Sequence, residues 1–224
     1  MEWTVTSCGP QAWLLRFGDD FSEAVMGRAL SLAQQLQSNP PLGLREFTMG
    51  YASVLLEFGQ DGQTGFVRLS QRSISEVVEG LKETVTDHPP RPSRTVEIPV
   101  VYDGEDLSEV ASRTGLSEVE VIRRHTDRVY RVWLLGFSPG FPYLGVLDPS
   151  LRLPRRATPR VRISRGSVAI AGAQTGIYPS ESAGGWHLIG RTSRILFDPD
   201  RRGEPFLLRP ADAVRFVAVG EGDV

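Results

Sequence analysis

The chain has a single cysteine, Cys8, so no internal disulfide can form and no thiolate cage can hold a metal. Its three histidines, His88, His125 and His187, lie far apart with none of the short spacings that metal ligands need. No metal site is expected. Lysine is almost missing: 24 of the 25 basic residues are arginine, and only Lys82 is lysine. No apolar run approaches the ~20 residues that span a bilayer. The N-terminus also lacks the basic stretch and apolar segment of a secretory signal, so a cytoplasmic location is expected. Neither a Gly-x-x-x-x-Gly-Lys-Ser/Thr loop nor a Gly-x-Gly-x-x-Gly fingerprint occurs, which removes two common routes to nucleotide binding. Cys8 has no evident base partner, and no nucleophilic triad is expected.

What is present describes a globular protein. The 224 residues are 40% apolar and 23% charged, enough for one large domain or two modest ones. A net charge of −2 supplies no drive towards nucleic acid or an anionic membrane, and neither is expected as a partner. The balance is uneven: residues 1–90 carry 6 basic and 11 acidic side chains, residues 91–224 carry 19 and 16.

Trp13 to Phe17 reads as a strand, and Asp20-Phe-Ser-Glu23 has the spacing of a capping box. Val25, Ala29, Leu32 and Leu36 then form one helix face ending before Asn39-Pro-Pro41. Strands are expected at Leu44–Thr48, Ser53–Phe58 and Phe66–Leu69. A second helix buries Ile74, Val77, Val78, Leu81 and Val85, and Thr95–Val101 reads as a further strand. The order β-α-β-β-α-β is that of a ferredoxin-like α+β domain over residues 1–90. His88-Pro-Pro-Arg-Pro92 reads as a linker. Within 105–127, a short helix from Leu107 to Arg113 stops at Gly115, and another starts at Ser117 with Glu120 completing a capping box. Short strands between Gly/Pro turns follow at Val129–Leu135, Arg160–Ile163, Ser167–Ala171, His187–Ile189, Ile195–Phe197 and Ala213–Val219. They indicate an all-β barrel or sandwich in the second domain, residues 91–224.

Three stretches combine glycine and proline with aromatic residues. In Gly136 to Gly145, Pro139 and Pro142 stiffen a loop whose Phe137, Phe141 and Tyr143 form either a ligand-facing wall or a self-packed barrel corner. In Gly166 to Pro179, a strand opens into Gly172-Ala-Gln-Thr-Gly176. There Gln174 and Thr175 are placed to orient a small polar molecule, with Tyr178 beside them. In Gly184 to Thr192, Gly184 and Gly185 suggest exposed amides in an anion-binding nest before Trp186, and Arg191 ends the strand. Trp186 reads equally as a core anchor, and His187 as a surface strand position. Arg152, Arg155, Arg156, Arg160, Arg162 and Arg165 form an acid-free run, read as mostly solvated. If a strand starts at Arg160, Val161 and Ile163 share one face, and Arg160 and Arg162 the other.

In order and spacing these three motifs resemble the family of the B-type subunit of 5-oxoprolinase, which includes KipI and allophanate hydrolase subunit 1; the likeness runs from Val129 to Phe216. It implies a cyclophilin-like barrel. It also implies work as the B-type subunit of an ATP-dependent 5-oxoprolinase, a hydrolase that opens 5-oxo-L-proline to L-glutamate together with subunits A and C. A small amide is then the substrate and ATP the cofactor of the hetero-oligomer, with catalytic residues unassigned and little activity expected of this chain alone. Pro159-Arg160 matches the family's Pro-Arg motif, which singles out Arg160 as the arginine that binds an anionic group. Ala183 stands where the family usually has proline. The alternative within the same family is a KipI-like inhibitor of a sensor histidine kinase, and prolyl isomerisation is suggested by the barrel alone.

Overall fold

A computed structural model describes residues 3–19, 22–59, 71–82, 85–86, 91–92 and 94–223, without the side chains of 71–75, 82 and 223. The chain divides into two compact units, residues 1–91 and 92–224. The expected strand Phe66–Leu69, the side chain of Ile74, and His88 to Pro90 of the expected linker lie outside the described residues.

The first unit contains β1 (Thr4–Ser7), β2 (Ala12–Arg16), α1 (Glu23–Ser38), β3 (Leu44–Met49), β4 (Ser53–Phe58) and α2 (Gln71–Lys82). The strands form one antiparallel sheet in the order β1-β2-β4-β3. Alternation in β2 and β4 sends Trp13, Leu15, Val54, Leu56 and Phe58 to one face. There they pack with Val25, Ala29, Leu32 and Leu36 of α1 and with Val78 and Leu81 of α2. The cap of α1 is Ser22, whose hydroxyl accepts from the Val25 amide at 3.3 Å, two residues later than the expected start at Asp20. The strand expected to complete a ferredoxin-like order is not in this sheet. β5 (Thr95–Val100) pairs with the second unit, and among the described residues the first unit reads β-β-α-β-β-α. β1 takes the edge because it is joined to β2 by four residues, a short loop with little closure entropy.

The second unit continues with α3 (Leu107–Thr114), α4 (Glu118–Thr126), β6 (Val129–Leu135), β7 (Pro142–Gly145), β8 (Arg160–Ile163), β9 (Ser167–Ala171), β10 (Gln174–Ile177), β11 (Ser182–Gly184), β12 (His187–Arg191) and β13 (Ala213–Ala218). Its seven-stranded sheet runs β12-β9-β10-β7-β6-β13-β5. The sheet curls until its two edges meet: Val101 and Arg191 exchange backbone hydrogen bonds of 2.8 and 2.9 Å. This mixed α+β architecture with a curled sheet is consistent with the cyclophilin-like expectation. Ile195–Phe197 is not a strand, since only Phe197 bridges, to Phe206. Both short helices form as expected, with Ser117 capping α4 and Gly115 ending α3 at φ +70°.

Ile98, Val100, Tyr130, Val132, Leu144, Val168, Ile170, Ile177 and Ile189 fill the interior of the curl, with Leu107, Val110 and Val121 of the helices. His125 of α4 is fully buried among them. The Thr175 hydroxyl donates to the Ala169 carbonyl at 3.0 Å, so its oxygen accepts from His125 Nε2 at 2.8 Å. Nδ1 is then left to accept from the Tyr102 hydroxyl at 2.7 Å. Burial pushes His125 down from 6.5 to about 3 and holds it neutral. Burial also raises Tyr102 and Tyr130, which stay protonated donors.

Asp106 ties the outer layers to this barrel. It precedes α3, yet its carboxylate does not cap the helix. Instead it accepts two bonds from Arg160 (2.7 and 2.8 Å), one from Arg156 (2.7 Å) and one from the Leu188 amide of β12 (2.7 Å). Burial alone would raise its pKa, but the Arg160 and Leu188 hydrogen bonds outweigh that and hold it below the usual carboxylate range. The preceding turn lies so close to β12 that a Cβ on Gly104 would stand 2.4 Å from the Leu188 oxygen.

Two consequences can be measured. Between about pH 6.5 and 3 the unfolded chain binds a proton on His125 that the folded chain refuses, so stability falls as pH drops through that window. The loss is on the order of 5 kcal/mol at most. His125→Phe should show a shallower acid slope in urea melts even though it is less stable at neutral pH, and an unchanged slope would contradict the assignment. Asp106→Asn should cost about 3 kcal/mol at neutral pH by removing the buried charge that two arginines share, which leaves them only the more exposed Glu105 and Glu109. Since the folded-state pKa of Asp106 is lowered, that difference should be full above the unfolded value near 3.8 and vanish as acid passes the folded value. A change within about 0.5 kcal/mol at neutral pH would reduce the cluster to an ordinary surface ion pair.

Candidate functional site

Along β9, β10 and β12, residues alternate between the barrel interior and its outer wall. Val168, Ile170, Ile177 and Ile189 point in, whereas Ala169, Ala171 and Leu188 join a second cluster with Phe141, Ile163, Tyr178 and Trp186, bordered by Tyr143. Phe141 stands at its centre, with Phe137, Tyr143, Tyr178 and Trp186 edge-on at 5.0 to 5.5 Å. Gly176 lets these rings lie flat on the wall, because a Cβ there would be 2.9 Å from Phe141 and 3.1 Å from Trp186. The three glycine-rich motifs therefore meet at one place. Most of the aromatic wall is turned on itself: Phe141 is 2% exposed, and of the five rings only Phe137 is strongly exposed, at 64%.

Phe137 sits at φ +69°, a backbone conformation costly for a bulky residue. Its loop lines an open groove of about 330 Å³ formed by Leu135, Gly136, Phe137, Ser138, Pro139, Gly140 and Phe206. Gly140, at φ +83°, admits the segment carrying Phe197, which would be 2.8 Å from a Cβ. The walls are apolar, and the Ser138 hydroxyl is buried with no hydrogen-bond partner among the described residues. Gly136-Phe-Ser-Pro-Gly140 has the Gly-x-Ser-x-Gly spacing of a hydrolase elbow. It is not an elbow here, because an elbow joins a strand to a helix and this loop joins antiparallel β6 and β7.

The remaining candidates are placed differently from expectation. Thr175 and Gln174 lie in strand β10, not in a polar loop, and Thr175 points inward to His125. Gln174 takes the opposite, outer face. Gly184 belongs to β11 and Gly185 accepts from the Arg156 amide, so the pair forms no left-handed nest. Gly184 is required for another reason: a Cβ would stand 2.2 Å from the Tyr178 hydroxyl. Burial raises that hydroxyl's pKa, against a hydrogen bond from the Trp186 backbone. Arg191 pairs with Asp103 at 2.7 Å on the surface.

Arg160 does bind a carboxylate, but it is the chain's own Asp106, with Glu105 at 3.2 Å. Arg156 shares Asp106 and reaches Glu109, so it too is drawn out of the solvated run. The expected alternation fails as well. Val161 is 92% exposed while Ile163 is buried, because the register of β8 against β11 shifts between Arg160 and Ile163. His187 is buried, its Nε2 bonded to the Pro154 carbonyl at 2.9 Å, and is not a surface residue. Asp106 carries no signal in the sequence, where it looks like an ordinary residue before a helix. Among the described residues no cluster of three or more potential metal ligands occurs, and no helix is long and apolar enough to cross a membrane.

A family model described as carboxyltransferase domain, subdomain C and D, matches residues 3–208. The B-type subunit of 5-oxoprolinase from Bacillus subtilis is 39% identical over 100% of this chain and 95% of its own length. That of Escherichia coli O157:H7 is 57% identical over 58% of this chain, a match that covers 61% of the relative. In the crystal structure of TTHA0988, the likeness covers 94% of this chain at 45% identity and a TM-score of 0.78, yet only 40% of that longer chain. The chain therefore belongs to the carboxyltransferase subdomain C and D family, in the branch of proteins named as B-type subunits of 5-oxoprolinase.

Proposed function

We propose that this chain is the B-type subunit of a cytoplasmic ATP-dependent 5-oxoprolinase and acts with subunits A and C to open 5-oxo-L-proline to L-glutamate. The observation that carries the reading is the end-to-end match with the Bacillus subtilis relative. A lactam carbonyl is a poor electrophile. Transfer of a phosphoryl group from ATP to its oxygen, releasing ADP, makes the carbon attackable by water; cleavage of the C–N bond, with the ring nitrogen leaving as a protonated amine, gives an acyl phosphate, and a second water displaces phosphate to leave the side-chain carboxylate of glutamate. Such chemistry needs a site from which stray water is excluded until the activated species forms. An outer wall of packed rings beside an apolar groove suits closure by a second protein surface, and ATP is assigned to the complex without a site on this chain.

Purified alone, the chain should release no glutamate from 5-oxoproline and ATP, and release should appear only with subunits A and C. Activity of the chain alone would overturn the division of labour. Inactivity of the complete set would overturn the enzyme reading and leave the kinase-inhibitor alternative. Phe137 is the residue assigned to the contact with the C-type subunit, since exposed, preorganised aromatics dominate binding hot spots. Phe137→Asn, which tolerates the left-handed backbone, should weaken association by about 2 kcal/mol in calorimetry without lowering the melting temperature. Phe141→Ala should instead cost about 3–5 kcal/mol of folding stability. Unchanged association in Phe137→Asn would remove the groove from the interface.

A further inference from the structure

The outer wall holds a second feature, at β6, β7 and β10. Val132 faces Leu144 and Leu134 faces Tyr143, which leaves Trp133 as an extra residue with no partner across the ladder. A bulge of this kind re-aims a side chain. The indole comes to lie over Gly145, where a Cβ would be 2.7 Å from its nitrogen and 3.1 Å from Cδ1. Trp133 is 1% exposed, and its Nε1–H has no acceptor among the described residues. A buried donor without an acceptor is rare enough in folded proteins to call for an explanation. Here both the bulge and the missing Cβ are needed to put it in place.

Its neighbours define what could use it. Gly145 is flanked in register by Arg131 on β6 and by Gln174 on β10. The Arg131 guanidinium carbon is 5.6 Å from the centre of the indole ring. Adjacent strands are ~4.8 Å apart, so this row of three positions spans about 10 Å, the scale of one small molecule. An indole N–H can only donate, so an occupant must offer it an acceptor. A carboxamide both donates and accepts, which matches an amide edge. A guanidinium matches a carboxylate.

We infer that Arg131, Trp133 and Gln174 form a recognition site for a small carboxylate-bearing amide. Trp133 Nε1–H donates to the amide carbonyl oxygen, Gln174 reads the amide edge, and Arg131 supplies the charge for the carboxylate. The class follows from these three side chains, and its identification with 5-oxoproline rests on the function proposed above. Binding by Trp133 involves no covalent step. The site differs from the aromatic groove and from the Asp106 cluster, and of its three members only Gln174 stands out in the sequence.

The test is the indole region of a proton–nitrogen correlation spectrum of the full chain, which has four tryptophans. Trp133→Phe identifies the resonance by its loss. Adding 5-oxoproline should move that resonance downfield, 2-pyrrolidinone should move it less, and proline, which has the carboxylate but no lactam carbonyl, should leave it in place. Gly145→Ala, which drives a methyl into the indole, should abolish the response. In the reconstituted complex, Trp133→Phe should raise KM for 5-oxoproline about tenfold with little change in kcat, the pattern of lost binding to ground and transition state alike. A purely structural indole would move the melting temperature and not KM. A resonance unmoved by 5-oxoproline, or moved equally by proline, overturns the inference even if the complex is active. A ligand-specific shift in a chain whose complete complex releases no glutamate supports the amide site and overturns the proposed reaction.

Discussion

The Asp106 carboxylate, removed from water and gripped by two arginines and a backbone amide, is the interaction on which the architecture around the candidate site depends. A lone carboxylate at this depth would be strongly destabilising, so the charge persists only because Arg160 and Arg156 reach it. Each partner comes from a different part of the chain: Arg160 from β8, Arg156 from the segment before it, and the Leu188 amide from β12. One side chain thereby fixes the β8–β11 ribbon and the start of α3 against the barrel wall. The geometry is directional, since the Arg160 fork meets both carboxylate oxygens. That is a more demanding role for the Pro-Arg motif than holding a passing anion.

Within that frame, glycines decide where the aromatic and polar side chains can lie. Gly176 lets Phe141 and Trp186 rest on the sheet, Gly184 admits the Tyr178 hydroxyl, and Gly145 admits the indole of Trp133. None of these three sits at positive φ. They are there for the space that a missing Cβ leaves, and each would push a packed ring or hydroxyl aside if it gained one. Gly140 combines close approach with the left-handed backbone, where the groove beside Phe137 meets the segment carrying Phe197, and Gly166 does the same against the Thr192 carbonyl.

The barrel wall works as a partition. Its inner side is sealed by aliphatic side chains and by the neutral chain of hydrogen bonds from Tyr102 through His125 to Thr175. The outer side carries the rings, the groove and the row across Gly145. Neighbouring residues of one short strand thus serve opposite purposes, as Gln174 and Thr175 do. Their fates differ by the pleat alone.

Much is legible in the order of the amino acids. The helix face of α1, the extents of α3 and α4, the Ser117 cap, the stop at Gly115 and the principal strands all follow from periodicity and local chemistry, and these act over a few residues. The three glycine-rich motifs that meet on the outer wall are also readable there. What the sequence could not decide was anything set by distant partners. Thr95–Val100 is a plausible strand for either unit, and only its parallel pairing with β13 assigns it. Arg156 looks like a solvated charge, and Arg160 like the binder of a separate anion, until Asp106, some fifty residues earlier, is brought against them. The bulge at Trp133 leaves no mark on its own segment, because it is a mismatch between two strands. Local pattern determined the elements and their buried faces; pairing across the chain determined which charges are spent inside the protein and left the Trp133 indole N–H without an acceptor among the described residues.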